Sequence, residues 1–334
     1  MFAFPIRSSQ PATRSWSVRS WHASATARHE NPLGLPKRPG PPPQMPRRGG
    51  PIEKRPVPHV KKTILVASGK GGVGKSTVAA NLAFALGMLD NSSQARLRVG
   101  LLDLDIFGPS VPKLMGLDAA KEPHLTQAGA ILPLTNHGVP CMSMGFLLPR
   151  PSPDAPSNVD TAVVWRGLMV QKAVQQLLFD VDWRDQNSGA GLDVLVVDMP
   201  PGTGDVPLTV GQLVKVDGAV IVSTPQDVAL SDVRKGIAMF RKISVPVSGL
   251  LLNQSHFTCP SCSTPHYIFG PPTTFRRVAD ELGVKVLGEL PVLGSVSESG
   301  DRGVPLVLGA KSEGEKEWQG VMQKAADVVW RGIS

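Results

Sequence analysis

A nine-residue run, Gly69 to Thr77 (GKGGVGKST), stands between an apolar, β-branched stretch and a helix-like one. Before it, Thr63 to Ala67 (TILVA) reads as a buried parallel strand. After it, Val78 to Leu89 (VAANLAFALGML) has the length and apolar spacing of a helix. Strand, glycine loop and helix in that order predict a phosphate-binding loop, Gly-x4-Gly-Lys-Ser/Thr. Gly69, Gly71, Gly72 and Gly74, with Val73 between them, let the backbone approach phosphate and take positive φ where needed. Their amides and the helix N-terminus offer partial positive charge. Lys75 is expected on the β- and γ-phosphates of ATP and the Ser76 hydroxyl on Mg²⁺, with Thr77 closing the motif.

Such a loop does not require a lysine directly after its first glycine. Lys70 adds a second cation within range of phosphate, either its own or that of a facing subunit. This resembles the deviant Walker A ATPases that include septum-positioning, partition, arsenite-pump and nitrogenase-iron proteins. In that class the extra lysine crosses a dimer interface to the partner's nucleotide. Carried over to Lys70, the resemblance implies a catalytic role for it and hydrolysis by a homodimer.

The net charge of +8 conceals an uneven distribution. Residues 1–62 hold 12 Lys/Arg against 2 Asp/Glu, whereas residues 63–334 hold 23 against 25. The folded part is thus near neutral, which argues against a nucleic-acid-binding face. Residues 1–29 carry Arg7, Arg14, Arg19, Arg28 and six serines, with no acid before Glu30. That composition predicts a mitochondrial transit peptide and hence a matrix location. Residues 30–60, rich in proline, glycine and base, read as a tether, and 61–334 as the ATPase domain. No run of 18 apolar residues occurs, so no stable membrane insertion is expected.

Within the body, Val99 to Leu102, Asp193 to Val197, Ala219 to Val222, Gly249 to Leu252 and Val286 to Leu290 read as buried strands. Helices are expected over Thr161–Phe179, opened by Trp165 and Arg166, and over Val228–Lys242, Thr274–Leu282 and Glu315–Trp330. The fold class is therefore α/β, a doubly wound, mostly parallel sheet. Two short strands, Ala130–Leu134 and Val139–Ser143, are expected around the turn Asn136-His137-Gly138, and 150–158 reads as a loop. Asp103 and Asp105 follow the second strand, where carboxylates face the ligand crevice. We assign Asp105 to orienting the attacking water and Asp103 to Mg²⁺ through its water shell. Asp198 closes its apolar strand in the Walker B manner and is expected to position Mg²⁺. In the Pro/Gly loop that follows, the Gly202 amide is expected to sense the γ-phosphate. Asn253, ending its strand, is placed to read the adenine edge.

Of three cysteines, Cys141 sits in a strand and reads as a buried structural thiol. Cys259 and Cys262 form CPSC in a loop, a spacing open to a redox dithiol, half a zinc site or half an iron–sulfur site. A four-ligand centre needs twice what one chain offers, and a two-fold dimer supplies it.

GKGGVGKST, DLDIFGPS at 103–110, WRG at 165–167, DMPPGTGD at 198–205, STPQD at 223–227, CPSC with IFG at 268–270, and SGDRGVP at 299–305 together resemble the Mrp/ApbC family of ATPases that assemble and carry iron–sulfur clusters. The match spans about 270 residues from near Lys61. The leader and tether are similar to those of the mitochondrial branch, required for assembly of respiratory complex I. The resemblance implies a labile [4Fe–4S] cluster bridging a homodimer through Cys259 and Cys262, slow ATP hydrolysis coupled to its binding or transfer, and complex I subunits as recipients. Where the family usually has Glu-Asn-Met, this chain has Leu252-Asn253-Gln254, so only Asn253 carries over. The segment 291–294 also lacks the family's acidic residue. Two other classes share the phosphate loop: a surface-cycling positioning ATPase, which would want a basic face or a basic amphipathic C-terminal helix, and an ATP-dependent electron-transfer protein, which would want a lasting cluster.

Overall fold

Unbroken β-branched and apolar residues make β1 (Val60–Ser68) a strand buried on both faces from Thr63 onward. The structure is a computed structural model that describes residues 53–91, 94–120, 122–147 and 167–334. The leader, the tether up to residue 52, the loop at 150–158, and Trp165 and Arg166 lie outside the described residues. In chain order the other strands are β2 (Val99–Asp103), β3 (Leu134–Asn136), β4 (Val139–Ser143), β5 (Leu192–Asp198), β6 (Gly218–Ser223), β7 (Val247–Leu252), β8 (Phe257–Thr258), β9 (Pro265–His266) and β10 (Val286–Glu289). Among the described residues, eight form one sheet in the order β10–β7–β6–β1–β5–β2–β4–β3. Every pairing in it is parallel except the β3–β4 hairpin. β8 and β9 make a separate antiparallel ribbon.

β1 lies between β5 and β6, and the chain leaves it through a helix to reach β2 on the far side of β5. The carboxyl end of β1 is therefore where the strand order reverses, the place where open α/β sheets bind ligands. The helices are α1 (Lys75–Gly87), α2 (Val111–Leu114), α3 (Gly167–Phe179), α4 (Asp205–Leu213), α5 (Asp227–Lys242), α6 (Pro272–Leu282), α7 (Gly294–Asp301) and α8 (Glu313–Ile333). Ten of the thirteen residues of α1 are buried, because it packs between the sheet and α8. Its buried Asn81 is satisfied: Nδ2 donates to Thr77 O and Oδ1 accepts from Val307 N.

α8 starts at a capping box in which Ser312 and Glu315 exchange hydrogen bonds, worth ~1 kcal/mol. Its apolar face is docked, with Trp318, Met322, Ala325 and Val329 buried. No helix among the described residues is long and apolar enough to cross a membrane.

Three expectations shift. The strand expected at Ala130–Leu134 falls instead at Leu134–Asn136, since Pro133 has no amide for the ladder; Ile131 makes only isolated bridges to Leu125 and Val181. The turn is the pair His137-Gly138, both at positive φ, as a two-residue hairpin requires. Residues 53–60, assigned above to the tether, lie along the domain. Val57 is buried, Arg55 bridges Val214, and its guanidinium stacks 3.6 Å over the Phe179 ring.

Candidate functional site

The loop from Gly69 to Gly74 leaves β1 and caps α1, and the close contacts explain two of its glycines. A Cβ at Gly69 would lie 2.4 Å from Asp232 Cβ. Gly74 has φ 81°, and a Cβ there would meet Asn253 Nδ2 at 2.3 Å. That amide donates to Val73 O at 2.9 Å. Asn253, expected at the adenine edge, thus grips the loop from behind in this structure. Its place at the end of β7 is as anticipated; its engagement with a loop 180 residues away comes from β7 lying two strands from β1.

Lys75 begins α1 with its side chain folded against β5: Nζ lies 2.5 Å from Asp198 Oδ1 and 3.1 Å from Ser76 Oγ. The lysine is 6% exposed and the aspartate 0%. Burial pushes the Asp198 carboxyl up, against the pull of Lys75 and of a hydrogen bond from Ser76. Asp198 Oδ2 is buried with no hydrogen-bond partner among the described residues. An orphaned, desolvated oxygen beside a serine hydroxyl is the donor chemistry that a hard divalent cation such as Mg²⁺ takes.

Asp103 pairs in register with Asp198 across β2 and β5 and is fully buried. Its Oδ1 accepts from Asp105 N, and its Oδ2 from Val111 N and Ser143 Oγ. Both oxygens thus accept from protein donors, which pins the loop between β2 and α2. Burial, and then the charge of Asp198, push its carboxyl up to about 7. Asp105, half-buried at the cleft, accepts weakly from Gly108 N at 3.3 Å. Burial raises it, with Lys75 opposing. Lys70 is exposed, its carbonyl accepting from Ser68 Oγ. Gly202, at φ 87°, donates its amide to Ser68 O at 2.8 Å, so the group expected to sense γ-phosphate is tied to the end of β1.

Around Gly71, Gly72, Ser76, Thr77 and Asp105 opens a cleft of about 540 Å³, within the size range of small-molecule sites. Lys113 on α2 and Asp301 on α7 line its far wall. Sequence reasoning did not include them, although SGDRGVP marked the segment that carries Asp301.

The cysteine loop is built by the β8–β9 register, Phe257 opposite His266 and Thr258 opposite Pro265. Cys259 N donates to Thr264 O and Ser263 N to Cys259 O, closing the CPSC turn with Ser263 at φ 55°. Both thiols are free, Cys259 half-buried and Cys262 exposed. Hydrogen bonds from the Thr264 hydroxyl and amide, then from Cys259, hold the Cys262 thiol below its ordinary range, which favours thiolate. A ring nitrogen of His266 joins the two sulfurs, all three within 4.8 Å of one another. That histidine was missed; a His four residues past the second Cys in one loop was the available signal. Cys141 is buried in β4, where burial pushes its thiol up to about 12 and away from metal or redox chemistry.

Comparisons with known proteins agree with this geometry. A family model described as ParA: NUBPL iron-transfer P-loop NTPase matches residues 59–329. The iron-sulfur cluster transfer protein NUBPL of Mus musculus is 48% identical over 288 residues, 86% of this chain and 82% of that protein. The iron-sulfur protein required for NADH dehydrogenase, mitochondrial, of Arabidopsis thaliana is 49% identical over 75% of this chain and 72% of its own length. Among solved structures, the nucleotide-binding protein of Archaeoglobus fulgidus in complex with ADP superposes with a TM-score of 0.58 at 33% identity, covering 73% of this chain and 87% of that one. With its phosphate loop, its buried Lys75–Asp198 pair and its exposed pair of thiols, this chain belongs to the family of NUBPL iron-transfer P-loop NTPases.

Proposed function

We propose that this chain is an ATP-dependent iron–sulfur cluster carrier acting in the mitochondrial matrix, with complex I subunits among its recipients. The observation that carries the reading is the route from nucleotide to thiols. Asn253 holds the phosphate loop through Val73 O, and six residues on Cys259 opens the exposed CPSC turn. A shift of the loop on nucleotide exchange would be felt directly at the base of that turn.

In this reading two copies face each other with ATP between them. Lys70, exposed on the loop, reaches the partner's phosphates, Lys75 leaves Asp198 for the β- and γ-phosphates, and Asp105 orients water. Ser76 and Asp198 would hold Mg²⁺, which supplies charge neutralisation on the phosphates. Gly69 to Thr77 cradle them, and Gly202 moves with the loop that follows β5. Cys259 and Cys262 of the two chains supply four thiolates to a [4Fe–4S] cargo. Few protein bonds per chain then hold the cluster, which favours release. Exposed apolar side chains suit such a meeting of chains: Phe107 (72% exposed) beside the cleft, and Tyr267 and Ile268 beside the thiols. Hydrolysis is slow and coupled to cluster binding or transfer. A surface-cycling ATPase would instead need a free amphipathic C-terminal helix, whereas the apolar face of α8 is buried.

The test is anaerobic reconstitution with iron and sulfide. About four of each per two chains, a broad thiolate-to-iron absorption, and loss of both in Cys259→Ala with ATP binding retained are expected. Wild-type protein that takes up only zinc, or a cluster that survives Cys259→Ala, would overturn the reading.

A further inference from the structure

We propose that a single protomer also holds one divalent metal ion by itself, through Cys259, Cys262 and His266, with the fourth coordination position open. The site goes beyond the bridging cluster and needs no second copy.

Three features of the hairpin carry this. The first is the ligand set: two thiolates and an imidazole are the soft and borderline donors that take Zn²⁺ or Fe²⁺, and three protein ligands with one vacant position is the make-up of an exchangeable rather than a closed site. The second is spacing. All three donor atoms lie within 4.8 Å of one another. Two thiolates on one tetrahedral ion, at ~2.3 Å metal–sulfur bonds, stand roughly 3.8 Å apart, so a closure of at most about 1 Å by side-chain rotation completes the site. Thiolates of a cubane bind different irons and stand farther apart than two ligands of one ion.

The third is how His266 arrives. Sequence alone puts it beyond the CPSC turn; the antiparallel register brings it back opposite Phe257, on the strand that runs into Cys259 through Thr258. Two backbone hydrogen bonds within the turn, Cys259 N to Thr264 O and Ser263 N to Cys259 O, hold it closed. β8 and β9 are exposed along their length, so the ion would sit at the surface with its open position toward solvent. A thiolate from another protein is the donor suited to enter there. Binding displaces the two thiol protons and leaves the imidazole neutral.

The probe is Co²⁺ alone, titrated anaerobically into the full chain without nucleotide. One Co²⁺ per chain is expected, on a species whose mass is that of the monomer, with thiolate charge-transfer bands and the intense d–d bands of a four-coordinate ion. His266→Ala should weaken binding at least ~10-fold, equivalent to about 1.4 kcal/mol, and shift the d–d bands. His266→Cys should restore tight binding and raise the charge-transfer intensity by about half, three thiolates replacing two. The proposal is overturned if His266→Ala binds Co²⁺ with wild-type affinity and spectrum, or if one ion is shared by two chains. Cluster reconstitution is a separate measurement, so failure of the carrier reading and failure of this site are told apart.

Discussion

Replacing Lys75 by methionine tests whether the lysine and Asp198 neutralise each other inside the folded domain. Their contact is 2.5 Å, and the side chains are 6% and 0% exposed. Methionine keeps part of the aliphatic stem and removes the charge. Asp198 is then left beside Asp103, its neighbour in the β2–β5 register, with no counter-charge. Stripping one partner from a buried pair costs ~3–5 kcal/mol. The carboxylate can escape by binding a proton, and burial already pushes it that way. In the Lys75→Met protein the folded state then holds a proton that the unfolded state releases. Stability must therefore fall as pH rises from 6 to 8, by up to ~1.4 kcal/mol per pH unit. Asp198→Asn added to Lys75→Met removes the stranded charge and should recover most of the loss and flatten the slope. Urea unfolding of wild type, both single variants and the double variant at pH 6, 7 and 8, without nucleotide, gives the double-mutant cycle. Simple additivity of the two single losses, or a Lys75→Met slope no steeper than that of wild type, would refute the argument.

Gly74→Ala should weaken ATP binding at least ~100-fold, because φ 81° is strained for alanine and its Cβ would collide with the Asn253 amide. Binding of a fluorescent ATP analogue measures it, and adding Asn253→Ala, which relieves the collision but not the φ, should recover only part. At the other end of the strands, burial disfavours the Asp193 carboxylate, but hydrogen bonds from Arg98 and Lys61 outweigh it and hold the group at about 2. Its contribution is therefore present above pH ~4 and lost as pH falls from there toward 2. Asp193→Asn should cost ~1–2 kcal/mol at pH 7, discounted because Lys61 and Arg98 are exposed, and should remove that acid loss from the urea midpoints.

Contiguous features were legible in the chain itself. The phosphate loop, the apolar runs of β1, β5 and β6, the acid closing β5 and the one-sided helix α8 each depend on chemistry between near neighbours. Backbone freedom at Gly74, unbroken apolar runs and helical spacing are local properties, so reading residues in order recovers them. Which partner each site residue faces was not legible. Asp103 was known to end β2, but Ser143 and Val111 claim its oxygens only because β4 and α2 pack there. Asn253 was known to end β7, yet Val73 O lies beneath it because of the strand order. His266 meets the thiols through hairpin register, and Asp301 walls the cleft through the placement of α7. Local sequence dictates the conformation and the chemical identity of a group. What that group touches depends on distances between segments far apart in the chain, which are set only when the whole core packs.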